Sequence, residues 1–171
     1  MVALTAATRF HVEATLSQHF TTTISAITRP AWLTALPAFV YNWDEVAATI
    51  PCFAFAHIPA GMLNDLQGRT VGDGQQGRKA LGILEVSCFV TRNANPSWNA
   101  QLRTMRDLVE TAATSTRTVV VQDYSTPSSP SNTTFKIDIL DVNETPTEPD
   151  INPAIQRSRI LIAYSFTYRS N

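Results

Sequence analysis

Charge is scarce in this chain. Only 16% of its 171 residues are Asp, Glu, Lys or Arg, and 13 basic groups against 14 acidic ones leave a net of −1. No global basic field exists to hold nucleic acid by counterion release. Lysine is rarer still: Lys79 and Lys136 are the whole set, and the remaining basic residues are arginine. Arginine suits bidentate interface pairs better than simple solubility. No window holds the ~18 unbroken apolar residues that a membrane helix needs. The start, Met1 to Arg9, lacks the basic opening and long apolar run of a secretion signal. The two cysteines, Cys52 and Cys88, sit in apolar strand-like runs with no Cys-x-x-Cys or nearby His spacing. They read as reduced core thiols on one sheet face, against the rival readings of a disulfide or a metal pair.

What is present bounds the class. A hydrophobic content of 44% is too high for disorder, and the length fits one domain with a real core. The expectation is a soluble single α+β domain over 1–171, built to work with neighbours.

Phe10, Ala14, Ser17, Phe20, Ile24 and Ile27 recur at helical spacing, which predicts an amphipathic helix over about 8–27, ended by Arg29-Pro30. Strands follow over 38–41 and 51–58. A polar stretch over 61–79 holds all but one of the glycines, and strand character resumes over 81–90. A second helix opens at Pro96 or Ser97 and buries Trp98, Leu102, Met105, Val109 and Ala112. Strands over 119–121, 134–142 and 159–168 complete the chain, the last two separated by a proline-rich connector over 143–157. The order α-β-β-β-α-β-β-β predicts a mixed, largely antiparallel sheet of about five to six strands, with two helices on one face. A long hairpin loop joins the second and third strands. The other face carries Glu85, Ser87, Lys136, Asp138, Arg159 and Ser165. It is expected to be too polar for a second core layer and to face water or another chain.

Catalytic readings are weak. Gly72-Asp73-Gly74-Gln75-Gln76-Gly77 matches the dinucleotide fingerprint literally, but that loop must open a helix to bring amides and dipole to a pyrophosphate. Here it feeds a strand, so it reads as a hairpin tip and no nucleotide is expected to bind. His11 and His19 lie eight residues apart, too far for a helical metal pair. His57 reads as a structural or interface histidine that could meet Glu85 across the hairpin. No nucleophile–base pair can be assembled from spacing. A polar loop of this length either binds something or is ordered by a neighbour. Asp65, Arg69, Asp73, Arg78 and Lys79 in the loop, with Glu85, Lys136, Asp138 and Arg159 behind the sheet, are therefore the candidate contact residues of an assembly subunit.

The chain resembles the tail terminator, or tail completion, proteins of long-tailed bacteriophages. The likeness is architectural and covers most of the chain. It rests on the N-terminal helix, on Pro37-Ala38-Phe39-Val40-Tyr41 leading into Pro51-Cys52-Phe53-Ala54-Phe55, and on the long loop. The Leu84–Arg92 strand running into the Trp98–Val109 helix, and the terminal Tyr164-Ser165-Phe166-Thr167-Tyr168, complete it. The resemblance implies a structural virion protein with no catalytic residues, cofactor or metal. It implies a six-membered homo-oligomeric ring that caps the tail tube and joins it to the head connector or neck. Its partners are then itself, the tail tube protein and the connector, with a passing contact to DNA in the channel and no membrane. Such a ring is assembled in the host cytoplasm and resides in the virion. The alternatives are another neck or tail-tube subunit of related fold and, from other classes, a small nucleotide-using or hydrolytic enzyme or an RNA-binding sheet domain.

Overall fold

A computed structural model describes residues 6–31, 33, 35–62, 70–71, 75–95, 97–145, 148–149 and 154–169. In chain order the elements are helix α1 (Ala6–Ala26), strand β1 (Ala38–Val40), and a 3-10 turn (Trp43–Glu45) leading into the short helix α2 (Val46–Thr49). Strands β2 (Cys52–Met62), β3 (Thr70–Val71) and β4 (Gln75–Thr91) follow, then helix α3 (Trp98–Ser115). The chain continues through β5 (Thr118–Asp123), β6 (Ser131–Glu144), β7 (Glu148–Pro149) and β8 (Ile155–Arg169). Six strands form a mixed sheet in the order β1-β2-β4-β8-β6-β5, with β3 added to β4 and β7 to β8. Among the described residues only β1 and β2 run parallel; the other pairs are antiparallel. The class is α+β.

Strand alternation sorts the sheet into two faces. Phe53 and Phe55 of β2, Leu84, Val86, Cys88 and Val90 of β4, and Ile160, Ile162, Tyr164 and Phe166 of β8 share one buried cluster. Val12, Leu16, Phe20 and Ile24 of α1 and six buried residues of α3 complete it. A smaller cluster of Val40, Val46, Cys52, Ala54, Phe89 and Ile155 lies on the opposite face, at one end of the sheet.

Gly82 has a steric reason inside β4. It pairs with Tyr164, and a Cβ at this position would stand 2.2 Å from Tyr164 Cζ. The buried tyrosine ring occupies the space where a side chain would go.

Several expectations need correction. In α1 the inward residues are Thr8, Val12, Thr15, Leu16, Ser17, Phe20 and Ile24, whereas Phe10 is 56% exposed. The early turns hide their core face because polar side chains serve there through hydrogen bonds: Thr15 Oγ1 accepts from the Gln122 amide at 2.9 Å. In α3 the buried stripe is Leu102, Met105, Leu108, Val109, Ala112 and Ala113, with Trp98 only half-buried against it at the first turn.

The hairpin register separates the two cysteines. Cys52 pairs with Phe89 while Cys88 pairs with Phe53. One thiol therefore faces the second cluster and the other the main core, instead of sharing a face; both are free and buried. The same register puts His57 opposite Leu84 on the helix-covered face, away from Glu85, which pairs with Ala56.

Strands also reach further than expected. β2 continues to Met62, β4 begins at Gln75, and Thr70 and Val71 pair back onto Gln76 and Gln75. The segment 61–79 is thus strand at both ends and near its middle. Likewise the connector 143–157 loses Asn143 and Glu144 to β6 and Ile155 to Arg157 to β8, with β7 between them.

Candidate subunit interface

The sheet face opposite α1 and α3 is the surface on which the candidate contact residues gather. Cross-strand rows define it. Asp138 pairs with Ser165, which pairs with Leu81; Asp141 pairs with Ala163, then Ile83, then Ile58. Asn143 pairs with Leu161, then Glu85, then Ala56; Arg159 pairs with Ser87, then Ala54. The expectation of a face too polar for a second core layer is corrected at its centre. Leu81, Ile83, Leu161 and Ala163 are half-exposed there and Ile58 is 42% exposed. Among the described residues, α2 is the only helix on this side, and its Val46 covers just the Cys52–Phe89 end.

Of the sequence-derived contact residues, Lys79, Lys136 and Asp138 are exposed on this face, and Asp138 accepts from Thr118 Oγ1 at 3.2 Å. Arg159 is half-buried. Arg78 lies in β4 opposite Tyr168. Asp65, Arg69 and Asp73 fall outside the described residues.

Glu85 is buried, and sequence reading missed its partner, Arg157. The Arg157 guanidinium pairs with Glu85 Oε1, donates to Ser87 Oγ at 3.0 and 3.1 Å, and lies 5.5 Å over the Phe89 ring. Ser87 Oγ also donates to Glu85 Oε1 at 2.9 Å. Every charge in this group has a hydrogen-bonded partner, as burial requires. The signal for Arg157 was its alternation with Arg159, but the prolines before it drew the strand boundary four residues too late.

The helix side also holds buried polar groups. Ser17 Oγ and His57 Nε2 are 2.8 Å apart, a nucleophile–base distance that no sequence spacing revealed. Burial pushes the His57 pKa down to about 4, and among the described residues Nδ1 has no hydrogen-bond partner to orient the ring. Such an imidazole is a weak base, and Ser17 is a buried residue in the middle of α1. The pair fastens α1 to β2. His11 fastens the same helix to the far edge: its Nδ1 accepts from the Tyr124 amide at 3.0 Å, and Nε2 lies 3.4 Å from Asp123. Ser125 and then His11 hold the Asp123 carboxyl below its ordinary range.

The thiols are unreactive by environment. Burial pushes Cys52 up to about 11 and raises Cys88 further. Of the glycine fingerprint, Gln75, Gln76 and Gly77 continue as strand β4, where Gly77 pairs with Arg169. No described helix is long and apolar enough to cross a membrane.

The chain matches no model of a known protein family, and comparison with curated proteins finds no significant match.

Proposed function

We propose that the protein is a structural subunit of a virion ring that terminates the tail tube of a long-tailed bacteriophage and joins it to the head connector. The observation that carries this reading is the half-apolar sheet face that neither long helix among the described residues covers. Partly exposed Ile58, Leu81, Ile83 and Leu161, framed by Lys79, Lys136, Asp138 and the Glu85–Arg157 pair, have the composition of a contact surface: an apolar centre and a charged rim. The long β2–β4 hairpin is the second support, since an arm of that length suits a subunit that reaches a neighbour or the tube. The architectural resemblance supplies the particular assembly: six copies, the tail tube protein on one side and the connector on the other. A neck or tube subunit of related fold is the second reading, because it would use the same uncovered face.

Light scattering on the purified chain, with electron microscopy of the same sample, tests the assembly. A ring of six with a central hole is expected; a monomer at all concentrations overturns the reading. A chain in which 63–74 is replaced by a short turn separates terminator from tube subunit. It is expected to fold and form rings yet leave overlong or headless tails in a complementation assay. Normal particles from that variant would remove the hairpin from the function.

A further inference from the structure

We propose that neighbouring copies of the chain join through opposite edges of the sheet, with the Tyr41 corner of one copy seated on the Arg117–Leu140 cleft of the next. The inference rests on the ring reading above and names the contact that builds the ring.

β1 and β5 are the two ends of the six-strand order. With strands ~4.8 Å apart they stand roughly 24 Å from one another and face opposite ways. Directly after β1, Tyr41 is 56% exposed and yet held in place. Its ring stacks on Phe55 at 5.5 Å and its hydroxyl lies 2.7 Å from Thr21 Oγ1. A fixed, exposed tyrosine loses little freedom when a partner covers it, which is what makes such residues good anchors. Asp44 and Glu45 follow it, both exposed and neither in an ion pair among the described residues.

At the other edge a cleft of about 220 Å³ opens between the end of α3 and β6, lined in part by Ala113, Arg117, Leu140, Asp141 and Val142. The pairing of β6 with β8 is irregular between Ile139 and Asp141, and Leu140, at that irregularity, is 43% exposed. Asp141 is already engaged: its two carboxylate oxygens accept from the Val142 amide and from Asn143 Nδ2, each at 2.9 Å. Arg117 is exposed and forms no ion pair among the described residues, while its carbonyl accepts from the Ile139 amide at 2.8 Å and so ties its backbone to β6.

The cleft therefore offers an apolar side chain beside an uncommitted cation, and the corner offers an aromatic ring beside two uncommitted anions. The two surfaces complement each other in both respects. Because they face apart, one neighbour cannot satisfy both. The contact is heterologous, and heterologous contacts propagate into rings or filaments.

Two double variants of the full chain test this by sedimentation: a corner variant, Tyr41→Ala with Glu45→Arg, and a cleft variant, Arg117→Glu with Leu140→Ser. Each alone is expected to lose the ring and run as a monomer with the circular dichroism of the parent. Mixed in equal amounts they should form dimers and stop there, because only one intact corner–cleft pair remains per two chains. If a double variant fails to fold, the exposed single changes Arg117→Glu and Glu45→Arg serve instead; each should weaken assembly, and both in one chain should restore it. Variants that still form the parental ring, or folded monomers that do not dimerise on mixing, overturn the proposed contact and leave the ring reading standing. A parental chain that is itself monomeric overturns the ring reading, and this contact with it.

Discussion

Along β4, Leu84, Val86 and Cys88 are fully buried under the two long helices, while Leu81 and Ile83 stand half-exposed on the opposite side. Both sets are apolar strand residues in one chain segment, so hydrophobicity does not distinguish them. What differs is the covering. On the helix side, burial is completed within the chain and tied down by side-chain bonds from Thr15, Ser17, His11 and Thr21. On the other side, charge is paired locally through Glu85 and Arg157, and the apolar centre stays partly exposed. A sheet residue's contribution to stability should therefore depend on its parity.

The largest expected effect tests that parity directly. Leu84→Ala removes a fully buried side chain and should cost about 2–5 kcal/mol in urea unfolding, as core truncations do. Ile83→Ala, one residue away, should cost clearly less in the unassembled chain, since its side chain is only partly buried. Equal losses at the two positions would mean that the second face is closed within the monomer.

Acid should weaken the helix side. His57 is held neutral by burial, with a pKa lowered from 6.5 to about 4, and the half-buried His19 shifts the same way. As pH falls the unfolded chain takes up protons first, so stability present above about 6.5 is lost on the way down to 4. For His57 this loss is on the order of 3 kcal/mol. Urea midpoints between pH 7 and pH 4.5 should fall steeply in the parent and less so in His57→Gln. Parallel slopes would show that His57 titrates in the folded state as it does in the unfolded chain.

Gly82→Ala probes the close approach of β8 to β4. The added carbon would meet the Tyr164 ring, which must move or strain the strand, at a cost of about 1–3 kcal/mol. Gly82→Ala together with Tyr164→Leu should cost less than the two single changes summed. Additive losses would show that the ring had room.

How much of this was legible follows the same division. The α+β class and the main strands came through, because alternation in β4, β6 and β8 and the α3 stripe are strong periodic signals. The pairing offset between β2 and β4 did not, since a shift of one residue flips every side chain and is set by turn geometry that composition does not encode. That single offset misplaced both Cys52 and His57. The phase of α1 was obscured because Thr8, Thr15 and Ser17 take core positions by hydrogen bonding. The outward side of Lys136 and Asp138 could be read from alternation; the apolar centre beside them and Arg157 could not, because a half-buried strand residue looks the same whichever face it serves.

The smallest effect is kinetic and compares one thiol from each side. Both cysteines are buried and raised in pKa, so neither should react with an aromatic disulfide reagent on mixing at pH 8. Their protection nevertheless has different sources. Cys88 lies in the main core, where exposure requires the sheet to part from α1 and α3. Cys52 lies in the small cluster beside Val46, and the helix that carries Val46 is only four residues long. Opening that helix is a local event, and local openings cost less than global unfolding. In Cys88→Ala, the remaining Cys52 should label under native conditions at a rate only weakly dependent on urea. In Cys52→Ala, Cys88 should label far more slowly, at a rate that rises with urea as global unfolding does. Assembly should slow Cys52 further if a neighbour covers that face, and leave Cys88 unchanged. Identical rates and urea dependences for the two thiols would show that the two faces open together.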